Sequence, residues 1–138
     1  MKIVVCGSMT FAKEMVETEK ELVRRGYEVV LPKFTNEYTG MDTLEIVHRE
    51  SAANKIKHGL IRYYFDEIKN GDAILVLNNE RHGIPNYIGG NSLLEMGFAH
   101  VLNKKIFLLN PIPEMGYKDE IIAMQPTVLE GDLGEISS

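Results

Sequence analysis

Within Gly89-Gly90-Asn91-Ser92-Leu93-Leu94-Glu95, two glycines and two small polar residues precede an apolar helical pattern that contains one acid. Glycines let the backbone bend tightly and approach a ligand, and the start of the following helix offers unpaired N–H groups and a partial positive charge to an anion. A phosphate or carboxylate suits such a place. Glu95 has two readings. Ser92 and Glu95 stand at the spacing of a capping box, in which the serine accepts from one helix N–H and the glutamate reaches back to another. Glu95 also heads a stripe with Phe98, Ala99 and Leu102 at i, i+3, i+4 and i+7, which turns its carboxylate toward sheet or partner rather than solvent. An acid held there costs stability unless it is paired or used. The glycine spacing is not the dinucleotide fingerprint, whose first turn reads CGSMTF here, and no lysine follows to make a P-loop.

The other reactive side chains say less. His48, His58, His82 and His100 fall at no metal-binding spacing, so no metal is expected. Arg81 and His82 lie in a loop that either meets a ligand or is merely solvated. Cys6 sits in an apolar run and reads as a small buried hydrophobe. No cofactor is expected either: the first loop lacks the hydroxyl-rich phosphate turn of a flavin carrier, and the chain has no Trp to sandwich a flavin.

The elements that must position these residues alternate. A β-branched run at 2–6 stops at Gly7-Ser8, and a helical pattern over 10–25 carries Ala12, Met15, Val16, Glu19, Leu22 and Val23 on one face before Gly26. A strand at 27–31 ends at Pro32 and leads into a polar loop over 33–41. Asp42 or Thr43 can cap a long helical region reaching about residue 70, broken near His58-Gly59, with a stripe of Ala53, Ile56, Leu60, Tyr64 and Ile68. Residues 72–78 are apolar on both parities, as a central parallel strand covered on both faces requires. After the loop 79–90 and the helix containing Glu95 come a strand at 105–110, a short helix at 117–124 and an edge strand at 126–131. The pattern predicts an α/β fold, a parallel sheet of four or five strands with helices on both faces, in a single domain spanning 1–138. Ligands bind such sheets beyond the carboxyl ends of the strands. Those ends are Gly7-Ser8-Met9, Asn78-Asn79 and Asn110.

Composition sets the outer bounds. The 138 residues are 44% hydrophobic and 25% charged, with a formal charge of −5. That balance suits a globular protein and argues against a nucleic-acid surface. No apolar run reaches membrane-spanning length, and MKIVVCGSM turns polar short of the roughly 7–15 apolar residues of a signal peptide. One cysteine allows no intrachain disulfide, so a reducing cytoplasm is the expected setting.

The segments KIVVCGSM, FDEIKNGDAILVLN and GGNSLLEMGFAHVLNKKIFLL, in this order and at this spacing, resemble the nucleoside 2-deoxyribosyltransferase and deoxynucleoside-monophosphate N-glycosidase superfamily. The most specific piece is Glu95-Met96-Gly97-Phe98-Ala99, similar to that family's Glu-Leu-Gly-x-Ala. The resemblance implies a flavodoxin-like (Rossmann-like) three-layer sandwich, a nucleoside or nucleotide ligand, and a homodimer or higher homo-oligomer whose neighbouring subunit helps complete the site. It makes Glu95 the nucleophile at the anomeric carbon. Ser8, Gly90, Asn91 and Ser92 can hold a 5′-phosphate, and Gly7, Met9, Tyr64, Asn78 and Gly89 are the further expected ligand contacts. A nearby helix start is expected to favour the ionised form of Glu95. Two positions depart from the pattern. The family's two assisting aspartates correspond to Tyr64 and Gly89 here, and Asp66 lies roughly 200° around the helix from Tyr64. A phenol is a poor proton donor at neutral pH. Glu37, Asp42, Glu45 and Glu50 are the candidates for an acid supplied by a neighbouring subunit. A protein that kept the fold and anion loop but not the chemistry, acting as a nucleotide sensor, is the alternative.

Overall fold

In the computed structural model, which describes residues 1–137, five parallel strands form one sheet: β1 (Lys2–Gly7), β2 (Glu28–Val30), β3 (Ala73–Leu77), β4 (Lys105–Leu108) and β5 (Thr127–Val128). Their order is β2-β1-β3-β4-β5, the flavodoxin-like order, with the topological switch between β1 and β3. Register sets Gly7 against Leu77, so both central strands end at one level.

Every residue of β3 is buried, which explains why its sequence is apolar on both parities. Alternate side chains enter two cores. Ile3, Val5, Leu75 and Leu77 pack with Met15 and Leu22 of α1 (Ala12–Arg24). Val4, Cys6, Ile74 and Val76 pack with Ile68 of α5 (Leu60–Asn70), Met96 and Ala99 of α6 (Gly90–Val101) and Ile121 of α7 (Lys118–Ala123). Each fully buried Leu or Ile contributes about 1.5–3 kcal/mol, so the sheet and these helices hold most of the apolar stabilisation.

Between β2 and α5 the chain departs from expectation. The loop over 33–41 contains a one-turn helix, α2 (Thr35–Tyr38). The long helix is three pieces, because α3 (Thr43–Arg49) and α4 (Ala52–His58) separate at Glu50-Ser51 before the expected break at Gly59. Both starts are capped by side chains that satisfy an otherwise unpaired helix N–H. Asp42 accepts from the Glu45 N–H at 2.8 Å, and Ser51 accepts from the Asn54 N–H at 3.3 Å. Gly59 takes φ +58°, a left-handed conformation that glycine adopts without steric cost, and this turns the chain from α4 into α5. The predicted stripe fails at its first half: Ala53 and Ile56 are exposed, while Leu60 and Ile68 are buried. Val23, expected on the inner face of α1, is also exposed.

Candidate active site

The carboxyl end of β1, the loop that follows β3, the start of α6 and the α3–α4 segment surround a cavity of about 200 Å³. Gly7, Ser8 and Met9 come from the end of β1, Gly89 to Ser92 from the helix start, and Ile46, Val47, Glu50 and Lys55 from the segment opposite. Gly7 is fixed there by sterics, since only a residue without a side chain fits both its conformation and its surroundings. Its φ is +155°, and a Cβ would lie 3.2 Å from the Leu77 carbonyl oxygen and from the Met15 methyl.

One end of this cavity is built for an anion. The helix α6 begins at Gly90 with Gly89 as its cap residue, and no side chain caps it. The N–H groups of Gly90, Asn91 and Ser92 precede the first intrahelical bond. That bond is donated by Leu93 to the Gly89 carbonyl, and all three preceding residues line the cavity. Ser8 caps a short 3-10 turn over Met9–Phe11, its Oγ accepting from the Thr10 N–H. The same Oγ accepts from the Arg81 guanidinium at 2.8 Å. Arg81 has no carboxylate partner among the described residues, so its charge faces the cavity unneutralised. Arg81 owes its direction to a tight turn. Arg81 and Ile84 exchange backbone hydrogen bonds around His82 and Gly83, both at positive φ, as in a two-residue hairpin. Lys55 adds a second cation from α4.

Glu95 borders a neighbouring space. It is 8% exposed and opens onto a smaller cavity of about 20 Å³, lined also by Gly7, Met9, Pro32, Glu50, Tyr64 and Asn91. Gly7, Met9, Glu50 and Asn91 border both spaces, so the two are adjacent. The capping-box reading of Glu95 is overturned. Because the helix starts two residues before Ser92, Glu95 falls in the second turn, where it cannot reach back to an unpaired cap N–H. The expectation of an ionised Glu95 also needs correction. Burial raises its carboxyl to about 7, against a lowering by the Cys6 thiol; the charge of Glu50 raises it further and that of Lys55 lowers it. Desolvation outweighs the helix dipole because the acid sits past the first turn, where the dipole fades.

Tyr64 borders the small cavity, and its phenol is pushed well above the ordinary range by burial first and then by the charges of Glu95 and Glu50. Burial, then Glu95, likewise raises the Cys6 thiol, which is fully buried as expected. Asn78 lies elsewhere. Its side-chain amide donates to the Asn110 and Pro111 carbonyls and accepts from the Asn110 N–H at 2.8 Å. It ties the end of β3 to the end of β4 and borders neither cavity. The remaining expected residues, Gly7, Ser8, Met9, Tyr64, Gly89, Gly90, Asn91, Ser92 and Glu95, converge on the two spaces.

Glu50, Lys55 and Arg81 join them without having been assigned there from sequence. Glu50 reaches the site within its own chain, so no neighbouring subunit is needed to bring it. Among the described residues no His, Cys, Asp and Glu cluster is arranged to hold a metal ion, and no helix is long and apolar enough to cross a membrane.

No protein-family model and no curated protein matches the sequence. Among solved structures, a CMP N-glycosidase from Clostridium botulinum is similar at 16% identity, over 93% of this chain and 85% of that one, with a TM-score of 0.49. The fold assignment rests on this chain's own strand pairing.

Proposed function

We propose that this protein cleaves or exchanges the N-glycosidic bond of a nucleoside 5′-monophosphate, with Glu95 as the nucleophile. One observation carries the reading: a buried carboxyl without a capping role borders a small cavity adjoining a larger one that holds an uncapped helix start with Ser8 and Arg81. The phosphate binds at the N–H groups of Gly90, Asn91 and Ser92 and at Arg81, through charge-assisted hydrogen bonds. That anchoring directs the anomeric carbon toward Glu95. The chemistry is of the retaining glycosyl-transfer type: the carboxylate traps an oxocarbenium-like centre, and water or a second base resolves the glycosyl-enzyme. The resemblance of GGNSLLEMGFAHV to the deoxyribosyltransferase family supports the same assignment. The test is to incubate the protein with ribo- and deoxyribonucleosides and their 5′-monophosphates and to look for free base by chromatography. Base release from a monophosphate, lost in Glu95→Gln, is expected. Equal release by that variant contradicts the role given to Glu95.

The raised carboxyl of Glu95 favours a second reading, a nucleotide sensor without turnover, because a nucleophile must be ionised. That protein is stabilised by its ligand, by about 2.7 kcal/mol at 100 times Kd, and releases no base.

A further inference from the structure

We propose that Glu50 is the acid that protonates the departing base, working across the small cavity from Glu95. This rests on the N-glycosidic reading of the site. Glu50 borders both cavities, beside the cleft that takes the phosphate and beside the nucleophile. Its carboxylate is anchored but not neutralised. The Tyr38 hydroxyl donates to its Oε2 at 3.0 Å, while the adjacent cation, Arg49, pairs instead with Glu37 at 3.0 Å.

Helix stability does not explain the placement. Glu50 is the C-terminal cap residue of α3, where the helix dipole disfavours an acid. The other candidates are occupied or face away: Glu37 is in that ion pair, Asp42 caps α3, and Glu45 and Asp66 are exposed. Tyr64 borders the cavity but holds its proton too tightly to give it up.

The pair also accounts for the proton that burial holds on Glu95. The space between the two acids, bordered by Glu95, Glu50, Tyr64 and Asn91 as polar partners, has room for about one water. Through that water the proton passes from Glu95 to Glu50, leaving Glu95 ionised. An oxygen of Glu95 then bonds to the anomeric carbon as the C–N bond breaks. The electron pair goes to the base nitrogen, which takes the proton from Glu50. In the second half, water adds to the anomeric carbon, its proton goes to Glu50, and the bond to Glu95 breaks with its electron pair returning to the carboxylate. The base therefore leaves as a neutral, N-protonated molecule.

The test compares two leaving groups on one 5-phosphorylated sugar, chosen to match the monophosphate that wild type cleaves: the base itself, and 4-nitrophenolate, which departs without a proton. Glu50→Gln is expected to lower kcat for base release by about 100-fold or more. For nitrophenolate release, the loss expected is no more than about threefold, the small change left once no proton transfer is required. Tyr38→Phe, which keeps the acid and removes its anchor, is expected to give a smaller loss confined to the base substrate, and it carries the test if Glu50→Gln does not fold. Equal losses on both leaving groups overturn the role of Glu50 and leave the N-glycosidic reading standing. A wild type that releases base but not nitrophenolate also overturns it, and one that releases neither overturns both.

Discussion

The two sides of the cleft are built differently. On one side, β1, β3 and the start of α6 present residues backed by fully buried strands, among them Ile3, Leu75 and Leu77 at 0%, 0% and 1% exposure. On the other, α3 buries only Ile46 and α4 buries nothing, while Leu44 and Ile56 stand 82% and 81% exposed. The sheet side holds the uncapped helix start and Glu95; the helical side holds Glu50 and Lys55. Few buried apolar contacts mean lower local stability on the helical side. The cavities measure about 200 Å³ and about 20 Å³. Both fall below the roughly 300 Å³ at which ordinary ligand pockets begin. In the proposed reaction the nucleophile stands on the sheet side and the proton donor on the helical side.

The largest effect that sharpens this contrast is on stability. Leu75→Ala in β3 is expected to cost about 2–5 kcal/mol in denaturant unfolding, whereas Ile56→Ser in α4 stays within about 0.5 kcal/mol. Similar costs at the two sites erase the distinction. Next comes pH. Glu95 binds its proton more tightly folded than unfolded, its carboxyl being raised from 4.5 to about 7. Between those values the folded state holds more protons, and stability falls as pH rises. Glu95→Gln removes that penalty. It is expected to stabilise the protein by on the order of 3 kcal/mol above about pH 7, with the gain vanishing toward about pH 4, as followed by melts across that range. A gain independent of pH contradicts the burial of Glu95 as a titrating group. Smallest are the binding effects. Arg81→Ala is expected to weaken a nucleoside monophosphate by about 1.5–3 kcal/mol and leave the phosphate-free nucleoside unchanged. Lys55→Ala on the helical side costs about 1 kcal/mol or less and fades with salt. Calorimetric titration of both ligands separates the two, and a larger loss at Lys55 reverses the roles of the two sides.

Much of the sheet side is legible in the sequence. The run at 72–78 is apolar on both parities, as a doubly covered strand requires, and the end of the β-branched run at 2–6 locates the cleft. The role of Glu95 stays open from sequence because Ser92 and Glu95 satisfy the capping-box spacing whether or not a helix has already begun, and here it begins at Gly90. The contrary signal is the stripe through Phe98, Ala99 and Leu102. The helical side is harder. Ser51 carries a cap signal inside a continuous periodic pattern, which hides the break at Glu50-Ser51 and leaves Glu50 looking like a residue for a neighbouring subunit. Arg81 escapes for a similar reason: His82-Gly83 is a turn pair, and only the turn aims the guanidinium inward. Asn78 differs from these: its buried amide at a strand end serves the backbone beside it.

The central claim is that a Glu95 oxygen bonds to the anomeric carbon. A 2-fluoro-substituted monophosphate, whose electron-withdrawing fluorine destabilises the oxocarbenium-like transition state of both steps, traps a slowly hydrolysed glycosyl-enzyme where a good leaving group lets it form. Mass spectrometry of the digested protein is expected to find the sugar phosphate on the peptide carrying Glu95, absent from Glu95→Gln. Released base with an unmodified Glu95 peptide, or an adduct at another residue, contradicts the account.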